Sequence, residues 1–367
     1  MTTPALVDER LRSHRLSAPA ATVTEAAAHM LAVQSQDLLA GRWALACRTR
    51  GTPGLSEVDA AFARGDLVRA WTMRGTLHII PARDLGWVLS VTAERQRRQA
   101  AARHRELGID DDLLARAERA LRPGLRDGGV TRAVAFTAFE AAGIDPRAQR
   151  GVHVLSALTI AGVLCQAPLA GAPGAVRREQ LFVRVEDHIA ESDAPADPLG
   201  ELFVRYIEGH GPAGAADFAW WSGLTLGVAR EAALRATGRV VEVSEGQFVG
   251  AVRPRRSDAA TRMRALGAFD EYYIAYGDRT AVCPPEHLAA VGPGKNGMVR
   301  PVLLDRGRVA GGVVCRRRAR RGGRALRGRA RCQRGGCRGR AVPLLSCPVS
   351  RAAAGHGARR AGARRLS

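Results

Sequence analysis

Gln34 and Gln36, one residue apart in the string LAVQSQD, are the residues whose type and spacing most directly suggest chemistry. Each side-chain amide offers a carbonyl acceptor and two N–H donors, so a pair can hold and aim a single water. The pair falls between two predicted helices. If the backbone there is extended, side chains two positions apart point the same way and can converge on one site. An amide is no useful general base. Such a pair suits a reaction whose leaving group departs readily, where the protein supplies orientation and electrostatic support. The plainer alternative is a pair of interhelical polar residues bonded to backbone, and a Q-x-Q alone does not decide between them. Asp37 next door reads most simply as an N-terminal helix residue that favours the positive end of the dipole. Asp270, Glu271 and Asp278 could be mistaken for the paired carboxylates of glycoside hydrolysis. Their setting beside Tyr272, Tyr273 and Arg279, in a segment that reads as β, favours a structural ion-pair network. Trp220 and Trp221 could stack on a planar ligand, but helix neighbours point about 100° apart, so at least one belongs to a core.

The elements that must position these residues follow a repeated grammar of helices and then two apolar strands around a turn. In the first stretch, VTEAAAHMLAV puts Val23, Ala26, Ala27, Met30 and Leu31 near one helical face, with Thr22 as a cap. LLAGRWALACRT and LSEVDAAFARG follow as helices, the latter from Ser56 to Gly65. LVRAWTM and TLHIIP are then strands joined through Arg74 and Gly75. The second stretch predicts helices in DDLLARAERAL, TRAVAFTAFEAAG and GVHVLSALTIAG, then a hairpin from AGVLCQA to REQLFVRV. The third has LGELFVRYIEGHG, AADFAWWSGLTLGVAREAAL and the short strands RVVEVS and QFVGAV. Helices followed by a hairpin is the pattern of a winged helix-turn-helix. EYYIAY, MVRPVLL and RVAGG suggest a small β domain.

The predicted fold is therefore α+β, mainly α. It has three tandem winged helix-turn-helix units at residues 5–95, 96–192 and 196–255, an incomplete β domain at 260–311, and a disordered Arg-rich tail at 312–367. Winged helices also serve as plain scaffolds, so function has to come from particular residues.

The formal charge of +21 invites a nucleic-acid reading, but its location tempers that. Asp305 is the last acidic residue and 19 arginines follow it, whereas residues 1–305 hold 37 basic and 35 acidic side chains. The basicity belongs to the tail. That segment has no period of 2 or 3.6 and little to pack, so it cannot offset its ordering entropy. A basic arm on phosphates would explain it. A frameshifted reading of a GC-rich gene explains more, including the sudden Cys-Arg-Gly bias and the loss of every acid. Cys332 and Cys337 are spaced C-x4-C near Cys315, Cys347 and His356, but match no standard zinc site, so no metal or other cofactor is expected. Cys47, Cys165 and Cys283 sit singly among apolar residues, which suits buried thiols in a reducing cytoplasm. No apolar run is long enough to span a membrane. The charged start MTTPALVDERLRSHRL argues against export.

Five strings occur in order: LAVQSQD, LVRAWTMRGTLHIIPARDLGW, DFAWWSGL, FDEYYIAYGDR and GKNGMVRPVLLDRGRVAG. Together they resemble the bacterial winged-helix DNA glycosylases that include azinomycin-resistance and interstrand-crosslink enzymes, over about residues 5–311. The resemblance implies that Gln34 and Gln36 form the Gln-x-Gln catalytic motif. It also implies a Trp after the Gly-Arg-Val-x-Gly strand, where this chain reads Gly312-Val313-Val314. Two GTG valine codons contain TGG out of frame, which agrees with the frameshift reading.

The expected reaction is hydrolysis of the N-glycosidic bond of alkylated purines, N7-alkylguanine and its crosslinks among them, because the cationic base leaves readily. The only lysine, Lys295, lies far along the chain from the Gln pair, so base removal without Schiff-base lyase chemistry is expected. Double-stranded DNA is the partner, and a cytoplasmic monomer is expected. Arg69, Arg74 and His78 lie on or beside the first wing, a place suited to phosphate or minor-groove contact. Alternatively, Arg74 ends a turn and His78 packs on the sheet. The competing function is a non-catalytic winged-helix DNA-binding protein or regulator.

Overall fold

The computed structural model describes residues 3–171, 179–255, 263–294 and 297–313, with two further strands at 328–329 and 343–344. The Arg-rich tail's cysteines, His356 and Lys295 lie outside the described residues.

Helices α1 (Thr3–Ser13) and α2 (Val23–Met30) open the chain. Thr22 caps α2 by accepting from the Glu25 amide, and Val23, Ala26, Ala27 and Met30 are its buried face, as the periodicity predicted. After the two-residue strand β1 (Val33–Gln34), Asp37 caps α3 (Leu38–Cys47) by accepting from the Leu39 and Ala40 amides. Helix α4 (Leu55–Ala63) starts one residue before Ser56, without a side-chain cap. Strands β2 (Leu67–Met73) and β3 (Thr76–Pro81) then form a hairpin whose two-residue turn is Arg74-Gly75. Both turn residues have positive φ, 54° and 67°, which gives the twist that a tight hairpin needs.

Helix α5 (Leu85–Glu106) is continuous, so position 95, the expected end of the first unit, falls inside it. Leu85, Val88, Leu89, Thr92, Ala93 and Gln96 recur at helical spacing and pack it against β2. Helices α6 (Asp111–Arg126), α7 (Arg132–Ala141) and α8 (Arg150–Ile160) follow, then β4 (Leu164–Leu169) and β5 (Gln180–Arg184). The two hairpins share one antiparallel sheet in the order β1-β3-β2-β4-β5, joined where Arg69 faces Gln166. Every residue of β2 is buried, because elements cover both faces of the sheet.

A short turn of helix, α9 (Val185–His188), leads to α10 (Pro198–His210), α11 (Ala215–Ser222), α12 (Leu226–Arg235) and the hairpin β6 (Val240–Ser244) with β7 (Gln247–Gly250). The stretch AADFAWWSGLTLGVAREAAL is two helices, because Gly223 turns left-handed (φ 74°) between them. The last described part holds β8 (Met263–Leu266), α13 (Glu271–Ile274), α14 (Pro285–Val291), β9 (Val302–Asp305) and β10 (Arg308–Gly312), with the sheet order β10-β9-β8.

The expected strand EYYIAY is instead α13 and the turn after it. Asp270 caps this helix at the Tyr272 amide while binding Arg48 with both oxygens, at 2.8 and 3.0 Å. The hydroxyls of Tyr272, Tyr273 and Tyr276 donate to the carbonyls of Gly307, Gly292 and His210. All three rings are buried, so no alternating exposed face exists for a strand to use. Cys165 and Cys283 are buried thiols and Cys47 is half-buried; burial pushes the Cys165 thiol up to about 12. Among the described residues no helix is long and apolar enough to cross a membrane.

Candidate functional site

Leu31 sets the course of the Gln-Ser-Gln segment. It is fully buried with φ 59° and ψ −56°, and the Ala32 amide donates back to the Met30 carbonyl at 2.7 Å. This is a γ-turn of the strained, positive-φ kind, which reverses the chain between α2 and β1. Val33 and Gln34 then pair with Ile79 and His78 of β3, and the Ser35 amide donates to the Leu77 carbonyl at 2.7 Å. The backbone of the motif is therefore extended, the condition under which side chains two positions apart share a side. Helix α3 packs so closely behind it that a Cβ at Gly41 would stand 2.5 Å from Ser35 Oγ and 2.7 Å from its Cβ.

Both amides are tied to the tip of the β2–β3 hairpin. Arg74 Nη2 donates to Gln34 Oε1 at 2.9 Å, and the Leu77 amide donates to Gln36 Oε1 at 3.3 Å. A guanidinium and a peptide N–H can only donate, so each carbonyl oxygen faces its anchor and each NH2 group is turned away from it. Gln34 is buried to 7% exposure and borders a cleft of about 150 Å3, shared with Arg74, Thr76, Trp220, Phe269 and Arg279. Gln36 is exposed and outside that lining.

The remaining expected site residues are placed differently. Arg69, expected to face phosphate from a wing, is buried (8% exposed). Its Nε and Nη2 grip the Ser35 carbonyl at 2.8 and 2.7 Å, and Nη1 donates to Gln166 Oε1 at 2.7 Å. Burial lowers its guanidinium to about 10, so it stays charged. Arg69 fastens the backbone of the motif, and its position in a strand covered on both faces keeps it from solvent. His78 is fully buried, with Nδ1 at 3.0 Å from Thr72 Oγ1, and burial pushes its imidazole down to about 3. It packs on the sheet as a neutral side chain, which was the plainer alternative. Arg74 both makes the turn and borders the cleft. Burial lowers its pKa, and Glu271 opposes that.

Sequence reasoning missed the support under the site. Gln96 of α5 accepts from the Gly75 amide at 3.4 Å and donates to the Thr72 carbonyl at 2.9 Å, holding the hairpin tip. Trp221 is core, whereas Trp220 is 45% exposed, as the 100° separation required. The Arg279 guanidinium lies 5.1 Å from the centre of the Trp220 ring, and Trp220 Nε1 donates to the Ile274 carbonyl at 2.9 Å. Glu271, read as part of an ion-pair network, is fully buried. It accepts from the Gln34 amide at 2.7 Å and from Trp221 Nε1 at 3.1 Å, with His210 Nε2 at 3.6 Å. Burial pushes its carboxyl up, but His210, His78 and Arg74 outweigh this and hold it at about 2. The only local signal was the string FDEYY, which says nothing of a partner so distant in sequence.

No described residue lining the cleft is a carboxylate, an imidazole or an amine. What the cleft offers is an aromatic face, two guanidinium groups and one oriented amide. That is equipment for binding a planar, anionic or carbonyl-bearing ligand and for aiming water. It is not equipment for general-base catalysis.

Residues 27–338 match the family described as DNA glycosylase AlkZ-like, a match that runs beyond Gly312 into the Arg-rich segment. The chain belongs to the AlkZ-like DNA glycosylase family and is a DNA glycosylase, an enzyme that hydrolyses N-glycosyl bonds. It is similar to the interstrand DNA cross-link repair glycosylase of Streptomyces sahachiroi, with 27% identity over 285 residues, 71% of this chain and 74% of that protein. The solved structure of Streptomyces sahachiroi DNA glycosylase AlkZ shares the fold, with a TM-score of 0.68 and 22% identity over 86% of this chain and 88% of the other.

Proposed function

We propose that the chain removes alkylated purines from duplex DNA, N7-alkylguanine and interstrand crosslinks among them, with water as the nucleophile and without strand cleavage. The observation that carries this is the Gln34 amide at the cleft wall, its carbonyl held at 2.9 Å by Arg74. An N7-alkylated guanine is cationic and departs readily, so aiming a water at the anomeric carbon and steadying oxocarbenium character accomplish most of the task. Gln34 takes the water-positioning role from the cleft wall, and Gln36, exposed and held at the Leu77 amide outside that lining, is its proposed partner. The cross-link repair named for the Streptomyces relative supports crosslinked substrates here.

Phosphate contact moves to other arginines, since Arg69 and His78 are buried. Helix α5, whose Gln96 holds the hairpin tip, carries Arg97, Arg98, Arg103 and Arg105 exposed against only Glu94 and Glu106. Arg97 and Arg98 share Glu94 and Arg103 pairs with Glu106, which still leaves this helix an excess of positive charge in a body with little net charge. The same reading keeps three winged-helix units, a partial β domain beginning near residue 260, and a cytoplasmic monomer. Monofunctional chemistry has to be tested directly. Pro293 and Gly297 border the cleft, and Lys295 lies between them in the sequence.

The test is base release from N7-methylguanine duplex DNA by the parent and by a Gln34→Ala/Gln36→Ala double variant. Release by the parent and none by a variant that still binds DNA is the expected result. DNA binding without release from either methylated or crosslinked duplex would overturn the proposal. A protein–DNA adduct trapped by borohydride, and absent in Lys295→Ala, would replace hydrolysis with lyase chemistry.

A further inference from the structure

Strand β1 is the edge of the five-stranded sheet. Along a strand, successive N–H groups alternate sides. The Ser35 amide points to β3, where it meets the Leu77 carbonyl, so the Gln34 amide points to the open edge. At a buried position that N–H would be an orphan. Glu271 Oε1 takes it at 2.7 Å, from α13. The other carboxylate oxygen is seated on Trp221 Nε1 at 3.1 Å with His210 Nε2 at 3.6 Å, both fully buried.

A neutral carbonyl would satisfy the same amide. A carboxylate with no exposure carries a desolvation cost that simple fastening does not call for. In return, a charge-assisted hydrogen bond is shorter and stiffer. Two strained residues flank this contact: Leu31 (φ 59°), three positions before Gln34, and Phe269 (φ 58°), two before Glu271. Such conformations persist where the surroundings over-determine them, and they cluster where geometry matters to function. Gln34 is thus gripped at its backbone by Glu271 and at its side chain by Arg74.

We propose that Glu271 is a positioning residue, which fixes the backbone of Gln34 so that the amide held by Arg74 keeps its aim into the cleft. This rests on the reading of Gln34 as a water-positioning residue. Glu271 touches no substrate, and its effect passes through Gln34. Glu271→Gln keeps the shape but has one acceptor for two donors, and it turns an NH2 group toward one of them.

The test uses the full-length protein and N7-methylguanine duplex. In Glu271→Gln, kcat is expected to fall about a hundredfold, the cost of a misplaced reacting group, with KM nearly unchanged. Hydrogen exchange at the Gln34 amide is expected to be slow in the parent and fast in the variant. On the residual rate of Gln34→Ala, adding Glu271→Gln should cost nothing further, whereas a merely structural role would cost the same factor in both backgrounds. Equal reductions in both backgrounds, or a Gln34 amide that stays protected in Glu271→Gln, would overturn the proposal. If the parent releases no base, the proposed substrate and the role of Gln34 on it fail, and the exchange measurement still decides whether Glu271 clamps Gln34. Should Glu271→Gln not fold, Trp221→Phe removes one support of the carboxylate while keeping an aromatic ring. It is expected to show the same pattern with a smaller fall, and an unchanged kcat and unchanged exchange there would count against the clamp.

Discussion

Arg74 and Gln34 face each other at the cleft wall, with Arg74 Nη2 donating to Gln34 Oε1 at 2.9 Å. The pair joins the turn of the first hairpin to the edge strand beside it, so the hairpin is part of the site's mechanics. Because a guanidinium has no acceptor, the contact leaves the Gln34 amide one orientation. Replacing Arg74 with Met, which keeps length but no donor, frees the amide to rotate. Removing a hydrogen bond to a charged group costs about 1.5–3 kcal/mol. Single-turnover base release is therefore expected to slow roughly ten- to a hundredfold, with DNA affinity changing much less. An unchanged rate would show that the contact does not set the amide's aim.

Arg69 gives the opposite kind of result. Its donors meet the Ser35 carbonyl and Gln166 inside the sheet, so Arg69→Met should be felt as instability before any loss of DNA affinity. Stripping donors from buried acceptors costs about 1–3 kcal/mol per group, measurable as a lower urea midpoint. A variant of parental stability that binds DNA poorly would restore Arg69 to the interface.

Exposed arginines of α5 should carry the electrostatics instead. Converting Arg98 and Arg105 to Gln is expected to weaken duplex binding for all sequences alike. It should also reduce the slope of log affinity against log salt by about 0.9 for each phosphate that is no longer neutralised. Base release at saturating DNA should be unaffected. If affinity and slope stay at parental values, the DNA track lies elsewhere.

Acid should destabilise the fold through its buried imidazoles. Burial first, and nearby arginines second, hold His29 at about 4 and His78 at about 3, below the ordinary 6.5 of the unfolded chain. Between those values and 6.5 the unfolded state binds more protons, so stability rises with pH and falls on acidification. Each group contributes up to about 1.4 kcal/mol per pH unit across that window. Urea midpoints between pH 7.5 and 5 should decline below about 6.5, and His78→Asn should flatten the decline. A flat profile in the parent would mean that these imidazoles are not buried and neutral.

Gly41 tests the packing behind the motif. A Cβ there would press on Ser35 Oγ and Cβ at 2.5 and 2.7 Å, with Ile79 Cδ1 at 3.1 Å. Gly41→Ala is expected to cost about 1–3 kcal/mol of stability, as overpacking does, and to slow base release by displacing Ser35. A variant that is more stable, as alanine makes an unconstrained helix, would show that α3 can move away.

Much of the scaffold was legible because it is written in local periodicity. The face of α2, its Thr22 cap and the Arg74-Gly75 turn all follow from patterns within a few residues of each other. The 100° rule for helix neighbours required that at least one of Trp220 and Trp221 be core, and Trp221 is. At Gln34 the sequence marked only a segment between two helices, and its extended backbone came from pairing with β3. Where local reading failed, the deciding partner was remote. EYYIAY is rich in aromatic residues that favour strands, yet Asp270 caps it as a helix while bound to Arg48, 222 positions away. A period of 2 shows which residues share a face, but not whether something covers the other face. That is why Arg69 and His78 looked exposed on a wing and are buried in a sheet covered on both sides.

By itself the sequence determined most of the helices, the hairpins and the place of the Gln-Ser-Gln segment between two helices, because these depend on the dihedral and amphipathic preferences of neighbouring residues. Only the tertiary structure decided that two hairpins share one sheet, that Gln34 borders the cleft while Gln36 stays outside its lining, and that Glu271 closes the edge strand from 237 positions away. Those outcomes rest on buried polar groups finding partners. Any complementary donor or acceptor in the chain can meet that requirement, so sequence spacing carries no record of which one will.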